Sequence, residues 1–279
     1  MSARAAIDAQ RRFGGVARLF GAAGAARIGA ARVAVVGVGG VGSWAAEALA
    51  RSGVGALRLI DLDHVSESNI NRQVHALDST LGLSKVDAMR ARIADIAPGC
   101  RVEPIDAFVT PEDAAALLPA NLDWVIDAID QVPAKAALIA HCRAAGLPVV
   151  TCGAAGGRTD PLRLREDDLS RTSGDALLAS VRARLRRRHG FPAAPERAAA
   201  ARGPARAARL AAFGVPAIFS DEQAPADGQG GPDGSRETAA GAGGAPLGCS
   251  GYGSIATVTA PMGLAAAALV LRRLAAGSA

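Results

Sequence analysis

The chain has 279 residues, of which 50% are hydrophobic and only 3% aromatic, and it carries a formal net charge of +5. This length suits one large α/β domain or two smaller ones, and it makes a disulfide-stabilised miniature scaffold implausible. The four cysteines form no C-x-x-C pair, which disfavours a zinc site and favours a reducing cytoplasm. We expect no signal peptide, because the N-terminus has no apolar core region.

Residues 1–30 are predicted to form a helical segment, after which strands and helices alternate. Strands are predicted at 33–36, 57–60, 102–105, 124–127 and 148–151, and helices at 43–52, 84–97, 111–118 and 133–146. This alternation is typical of an α/β fold with a Rossmann-like, doubly wound, mostly parallel sheet. Such a domain is expected over residues 1–160, with any ligand beyond the carboxyl ends of the strands.

Residues 161–279 are expected to form a smaller C-terminal extension. We predict a basic helix at about 175–191, a flexible low-complexity loop at 193–246 and a returning strand or helix at 247–275. The uncharged stretch 255–271 approaches a membrane span in composition. Its many alanines, its short length and Pro261 favour a buried or interfacial element instead.

Charge is concentrated in one part of this extension. Residues 182–209 contain nine arginines and one glutamate, a local charge of +8. Two interpretations are equally open: a surface for RNA or another phosphate-rich partner, or a solvated arginine-rich helix.

The segment VAVVGVGGVGSWAAEALARSGVGALRLIDLD, residues 33–63, has the pattern of a nucleotide-binding unit. Ser43 is expected to cap the helix that follows the first strand. Asp61 ends the second strand, where an acid typically binds ribose hydroxyls. The glycines that would bring backbone N–H groups close to a phosphate are Gly37, Gly39, Gly40 and Gly42.

The next motif favours ATP over NAD. Asn69, Arg72 and Lys85 would bind a triphosphate, and a carboxylate among Asp127 and Asp130 would hold Mg²⁺. A redox enzyme needs none of these residues, and the sequence contains no Tyr-x-x-x-Lys pair. Lysine is rare, with two residues against 29 arginines, so lysines should be kept where arginine does not fit. For the second of them, Lys135, a functional and an incidental role are equally open.

With these motifs the chain resembles the ubiquitin-activating-enzyme-like adenylyltransferases. The resemblance runs from about Arg12 to Gly157, resumes near Leu247, and rests on GxGGxG, D-x-D-x-V-x-x-S-N-x-x-R-Q, a downstream lysine and a D-x-x-D pair. Through RRFGGVARLFG, NINRQVHAL and VTAPMG it is most similar to members that dehydrate threonylcarbamoyladenosine in tRNA. The alternative is an adenylyltransferase for a ubiquitin-like sulfur-carrier protein. Such enzymes commonly carry two C-x-x-C zinc pairs, which this sequence lacks.

The resemblance implies a homodimer that uses ATP and Mg²⁺ to adenylate the carboxylate of the modified adenosine and then cyclise it. The implied partners are tRNA and a sulfur-relay protein, with no zinc and no membrane. Asp130 would hold Mg²⁺, and Arg18, or failing it Arg12, would reach the ATP of the neighbouring subunit. Cys249 is either a thioester-forming residue or a small buried thiol. The implied catalytic residues are Arg18, Arg72, Lys85 and Asp130. The implied nucleotide contacts are Gly37, Gly39, Gly40, Gly42, Asp61, Asp63, Ser68, Asn69, Arg72, Lys85 and Asp127.

Overall fold

The centre of the molecule is a seven-stranded sheet. The structure, a computed structural model, describes residues 8–110, 113–193, 210–223 and 253–277. The strands are β1 (Arg32–Val36), β2 (Ala56–Ile60), β3 (Arg101–Ile105), β4 (Trp124–Asp127), β5 (Val149–Cys152), β6 (Leu164–Asp168) and β7 (Pro216–Ser220). Their order is β3-β2-β1-β4-β5-β7-β6, and only β6 runs antiparallel to its neighbour. The predicted Rossmann-like, mostly parallel sheet is confirmed.

Helices cover both faces of this sheet. They are α1 (Ala9–Ala30), α2 (Gly42–Arg51), α3 (Lys85–Ile96), α4 (Ala114–Leu117), α5 (Val132–Ala144), α6 (Ala176–Arg188) and α7 (Ala256–Ala276). Apolar residues of α1, α2, α3 and α7 pack on one face, and those of α4, α5 and α6 pack on the other. Along β1, Val33 and Val35 belong to the first core while Ala34 and Val36 belong to the second. The strand is therefore buried on both faces, as its unbroken apolar run predicts.

The C-terminal helix α7 lies against α2 and α1. A Cβ atom on Gly263 would lie only 2.3 Å from the carbonyl oxygen of Val41, so the two helices touch through their backbones. By length and composition α7 could cross a membrane, but more than half of its apolar window is buried in this packing. Stretch 255–271 is thus a buried element, and it is helical from Ala256 onward.

Three expectations about the C-terminal part need correction. The loop predicted at 193–246 contains strand β7, so the prediction of a flexible loop is wrong for Pro216–Ser220. Strand β6 was not predicted at all, and both strands extend the sheet begun by residues 1–160. No strand occurs at 253–255, the described residues that precede α7. Residues 194–209 and 224–252 lie outside the described residues.

Candidate nucleotide-binding site

A cleft of about 280 Å³ opens at the carboxyl ends of the central parallel strands. Its walls are the turns that follow β1, β2, β4 and β5, together with the start of α3. The sequence predicted a shared crevice here because parallel strands bring the turns after them to one edge of the sheet. The predicted residues that line it are Gly37, Gly39, Gly40, Asp61, Asp63, Asn69, Arg72, Lys85 and Asp130.

The turn after β1 is built for close approach of backbone to ligand. Gly37 has φ +85°, and a Cβ there would lie 2.9 Å from the carbonyl oxygen of Ala128. A Cβ on Gly42 would lie 1.8 Å from the Gly37 carbonyl oxygen, so Gly42 shapes the turn without lining the cleft. At Gly39, in contrast, a Cβ would meet no atom within 4 Å. The missing side chain at Gly39 leaves open the space that a bound phosphate needs.

Helix α2 presents its N-terminus beside this turn. Its N-cap is Val41, with no side-chain cap and no acidic residue in the first turn. Ser43 lies inside that turn and is fully buried, where its Oγ accepts a hydrogen bond from the Val74 N–H at 3.4 Å. The prediction that Ser43 caps the helix is therefore wrong. The partial positive charge of the helix N-terminus is left to attract an anion from the cleft.

Two acids and one lysine meet where β2 ends. The Asp61 carboxylate accepts hydrogen bonds from the backbone N–H groups of Val38 at 2.6 Å and of Asp63 at 2.9 Å. Burial raises the pKa of the Asp61 carboxyl, and the charge of Lys85 opposes that rise. Lys85 donates through Nζ to Oδ2 of Asp63 at 2.6 Å. The Lys85 side chain is only 7% exposed and that of Asp63 is 71% exposed. Asp63 thus holds the lysine ammonium at the wall of the cleft.

Unpaired donors face the cleft from the segment after Asp63. Arg72 donates through Nη1 to the Ser68 carbonyl at 2.7 Å and to Oδ1 of Asn71 at 3.0 Å. Among the described residues, its Nε and Nη2 have no acceptor and no carboxylate pairs with it. Oδ1 of Asn69 accepts a hydrogen bond from the Ser66 N–H at 3.1 Å. Nδ2 of Asn69 has no acceptor in the part of the chain that the structure describes. These free N–H groups can bind an anionic ligand.

Asp127 has a different role from the predicted one. Its side chain is fully buried, and Lys135 Nζ lies 3.0 Å from Oδ2. Thr151 Oγ1 donates to Oδ2 at 2.7 Å and the Ile129 N–H to Oδ1 at 3.2 Å. Burial raises the pKa of this carboxyl, against the effect of the lysine. Asp127 does not line the cleft, so its predicted direct contact with nucleotide is contradicted by its position.

Asp130, three residues further on, is exposed and lines the cleft. No cation pairs with it among the residues that the structure describes. An exposed carboxylate without a cation partner could hold a divalent cation such as Mg²⁺, which prefers oxygen ligands. The site thus combines one free carboxylate with several cationic or N–H donors.

Other predicted contacts lie away from the cleft of their own chain. Ser68 is exposed, and it contributes its carbonyl to Arg72 rather than a contact to the cleft. Arg12 donates through Nη1 to the Asp95 and Ile96 carbonyls at 3.2 and 2.5 Å, so it is held at the end of α3. Arg18 is exposed on α1, with no such partner in the described ranges. Of these two arginines, Arg18 is the one free to reach another molecule.

Gln73, Phe108 and Thr259 also line the cleft, although none of them was among the predicted site residues. Gln73 is 5% exposed with an unpaired Oε1, and Phe108 is 48% exposed. Gln73 stands in the recognised motif, and Phe108 follows a strand, so both gave a usable signal. Thr259 stands in the VTAPMG stretch of the resemblance, but its contact with Arg72, 187 residues away in the sequence, is not visible in any local pattern.

Nothing in the described cleft is an activated nucleophile. Cys100, Cys142 and Cys152 are free thiols away from the cleft lining, and burial raises their pKa to about 11, 12 and 12. His75 is also buried away from the lining, and burial lowers its pKa to about 4. Cys249 lies outside the described residues. Within those residues, no three His, Cys, Asp or Glu side chains are grouped to hold a metal.

Comparison with known proteins agrees with this geometry. The ThiF family model matches residues 15–277. The tRNA threonylcarbamoyladenosine dehydratase of Escherichia coli (strain K12) is 51% identical over 177 residues, which are 63% of this chain and 66%, just under two thirds, of that protein. A crystal structure of the E. coli dehydratase in complex with ATP superposes with a TM-score of 0.79 at 39% identity, covering 96% of this chain and 95% of that chain. The molybdopterin-synthase adenylyltransferase of E. coli is more distant, at 41% identity over 120 residues, or 43% of this chain and 48% of that protein.

Proposed function

The chain belongs to the ThiF family, and we propose that it is an ATP-dependent tRNA threonylcarbamoyladenosine dehydratase. It would adenylate the free carboxylate of the modified adenosine and then close the side chain into a ring with loss of water. The observation that carries this proposal is the cleft itself. A carboxylate for ribose, an open glycine turn and unpaired phosphate donors all line this cleft. The similarity to the E. coli dehydratase supports the choice of substrate.

The residues that line the cleft suggest how ATP would lie. Asp61, at the end of β2, would bind the ribose hydroxyls, because its carboxylate is already oriented by two backbone N–H groups. The phosphates would cross the turn at Gly39 toward the N-terminus of α2. Arg72 and Asn69 would hold the outer phosphates, and Lys85 would contribute a compact point charge.

Asp130 would hold Mg²⁺, which would neutralise negative charge between the phosphates when bound. The fit rests on the exposure of this carboxylate and on its lack of a cation partner among the described residues. Asp127 cannot take this role, because Lys135 and Thr151 already occupy its carboxylate.

The first chemical step would join two anions. The substrate carboxylate oxygen would attack the α-phosphorus of ATP, form a mixed anhydride with AMP and release pyrophosphate. Because negative charge accumulates on the phosphates, the cationic groups Arg72 and Lys85 would stabilise the transition state. Removing one such group typically costs about 2–4 kcal/mol, or roughly a hundredfold or more in rate.

The second step needs no nucleophile from the protein. An oxygen of the same side chain would attack the acyl carbon, and AMP would leave with one oxygen of the former carboxylate. The side chain would release one proton as the ring closes. The net change is the loss of one water. Since both reacting groups belong to one side chain, proximity replaces a covalent enzyme intermediate. The buried, weakly acidic thiols of the described residues support this route.

The tRNA backbone would lie along α6. The helix starts beside the cleft, which Leu177 lines, and ends at Arg188, 11 residues further along the chain. At about 1.5 Å per residue, this basic end lies about 17 Å from Leu177 along the helix axis. Arg187 and Arg188 are exposed at that end. An anticodon loop in the cleft would place its stem near these arginines, where contacts to phosphates are blind to sequence and sensitive to salt.

Two further arginines near that end are fixed by aromatic rings. Arg186 stacks over the Phe213 ring at 5.1 Å and Arg143 over the Phe191 ring at 5.0 Å. The two rings pack edge to face with centroids 5.0 Å apart. Guanidinium groups held in this way lose less conformational freedom on binding a phosphate, which supports a binding surface over a merely solvated helix.

The proposal also includes the oligomeric state and the cellular compartment of the protein. The protein would be a cytoplasmic homodimer in which Arg18 reaches the ATP of the other subunit, since Arg12 is already held by its own chain. A sulfur-relay protein would be a further partner. Arg18→Ala subunits mixed with Arg72→Ala subunits test the dimeric site, because only mixed dimers would regain one complete cleft.

The decisive experiment is mass spectrometry of nucleosides after incubating threonylcarbamoyl-modified tRNA with the protein and Mg-ATP. We expect an ATP-dependent loss of 18 mass units, one water, that Asp130→Ala abolishes and Arg90→Ala, on the outer face of α3, preserves. An unchanged nucleoside with the wild-type protein would overturn the proposal.

One alternative has its own support. The 41% identity to the molybdopterin-synthase adenylyltransferase favours activation of a carrier protein with a C-terminal glycine. ATP–pyrophosphate exchange that depends on such a carrier, and not on tRNA, would establish that alternative. The absence of C-x-x-C pairs from the sequence argues against it.

A further inference from the structure

Arg72 is held from two helices at once, through its backbone carbonyl. Trp44 on α2 donates from Nε1 to that carbonyl at 3.0 Å. Thr259 on α7 donates from Oγ1 to the same oxygen at 3.4 Å. Both donors are additional to the Nη1 contacts of Arg72 with its own loop. The position of this arginine is therefore determined by α2 and α7 as well as by local turns.

The packing around this carbonyl leaves little room for adjustment. A Cβ on Gly40 would lie 3.2 Å from Cγ2 of Thr259 and 3.3 Å from Cγ of Arg72, so the arginine stem lies across the glycine turn. A Cβ on Gly263 would lie 3.1 Å from Cβ of Trp44, so α7 presses on the tryptophan. The turn, the arginine stem and the two helices form one packed unit.

From this geometry we infer that Trp44 is a positioning residue for Arg72, selective for nucleotides that carry the β- and γ-phosphates. The inference rests on the proposed function, because it assigns the free Nε and Nη2 of Arg72 to the outer phosphates of ATP. When the indole N–H is lost, the Arg72 carbonyl keeps only the longer bond from Thr259. The guanidinium then samples more positions, and ATP binding weakens. AMP lacks the outer phosphates, so its binding does not depend on this restraint.

Trp44→Phe removes the N–H and keeps an aromatic ring, and calorimetric titration with ATP and with AMP in the presence of Mg²⁺ measures the effect. We expect ATP to bind roughly three- to tenfold more weakly, the effect of one neutral hydrogen bond, and AMP to bind as in the wild type. The other tryptophan offers a matched control. Trp124 lies at the start of β4, away from the cleft, so Trp124→Phe should leave the ratio of the two affinities unchanged.

Arg72→Ala completes a double-mutant cycle. If Trp44 acts through Arg72, the double variant binds ATP no more weakly than Arg72→Ala alone. Additive losses would overturn the inference, as would an equal loss for ATP and AMP in Trp44→Phe, or no loss at all. Thr259→Val removes the second donor without changing the side-chain shape. If Trp44→Phe does not fold, Thr259→Val is measured in its place, and we expect it to weaken the binding of ATP but not of AMP. Failure of the wild type to bind ATP would overturn the proposed function and this inference with it, whereas an unselective loss in Trp44→Phe, with ATP binding by the wild type intact, would overturn the inference alone.

Discussion

The two lysines of this chain allow one substitution to be compared in two environments. Lys135→Met should destabilise the fold far more than Lys85→Met. Lys135 and its partner Asp127 are both completely buried, 3.0 Å apart. The ammonium also donates to the Ile129 carbonyl at 2.9 Å and to the Asp127 carbonyl at 3.3 Å. Removing it leaves the buried carboxylate without its counter-charge and the two carbonyls without this donor.

The expected cost follows from the exposure of the partner. Breaking a buried ion pair by removing one member costs about 3–5 kcal/mol, because the other charge stays buried and unpaired. Lys85 is itself nearly buried, but its partner Asp63 is 71% exposed and regains water when the lysine is lost. Lys85→Met should therefore cost about 1 kcal/mol or less.

Urea unfolding without nucleotide, at pH 8 and at pH 5, measures both costs. Burial raises the pKa of the Asp127 carboxyl, and Lys135 is the main charge that opposes the rise. In Lys135→Met that pKa rises further above its unfolded value, so the variant gains stability, relative to the wild type, as the pH falls. The deficit should be smaller at pH 5 than at pH 8. Asp127→Asn combined with Lys135→Met should recover part of it. Equal costs for the two lysine variants would refute this reasoning.

Three further predictions concern a glycine of the cleft, a buried histidine and a pair of exposed arginines. Gly39→Ala should change the melting temperature by less than about 2 °C, because its Cβ meets no atom, yet abolish most of the thermal shift caused by Mg-ATP; an undiminished shift would show that no phosphate crosses this turn. His75, with its pKa lowered to about 4, stabilises the fold above its unfolded pKa and loses that contribution as the pH falls. Wild type should lose about 2–3 kcal/mol more than His75→Gln between pH 7 and pH 4.5 in denaturant unfolding, and parallel curves would contradict the assignment. The double variant Arg187→Glu, Arg188→Glu should weaken tRNA binding and reduce its salt dependence by about one to two released ions. The double variant Arg90→Glu, Arg101→Glu changes the net charge equally and should have a smaller effect on the affinity and on its salt dependence. Equal effects of the two double variants would show that α6 is not part of the tRNA interface.

The central sheet and its cleft were predictable because the relevant signals are local. A largely apolar and buried run marks the strands β1, β2, β4 and β5, and a polar or glycine-rich turn follows each of them. Gly37, Asp61 and Asp130 each stand just beyond such a run. Parallel connectivity then brings the three turns to one edge of the sheet without any knowledge of side-chain contacts.

Strands β6 and β7 escaped prediction for opposite reasons. β6 reads LREDD and is largely exposed at the sheet edge, so charge hides the strand signal. β7 is almost wholly buried, but its five residues stand within a segment of low complexity, too short to stand out. The two strands pair with each other, and β7 pairs also with β5; these are long-range contacts that local periodicity does not contain.

The two aspartates of VIDAID show where sequence reasoning ends. Both are acids at the end of one strand, and their spacing alone cannot tell which of them can hold a cation. The difference comes from α5, which brings the Lys135 ammonium back beneath Asp127 and neutralises it in place. Lys135 also donates to the Ile129 carbonyl, immediately before Asp130. The buried pair thus secures the segment from which the exposed carboxylate projects. A compact ammonium can reach these three oxygens from inside the core, whereas the larger planar fork of arginine would have to displace them. This explains why an arginine-rich chain keeps a lysine at position 135.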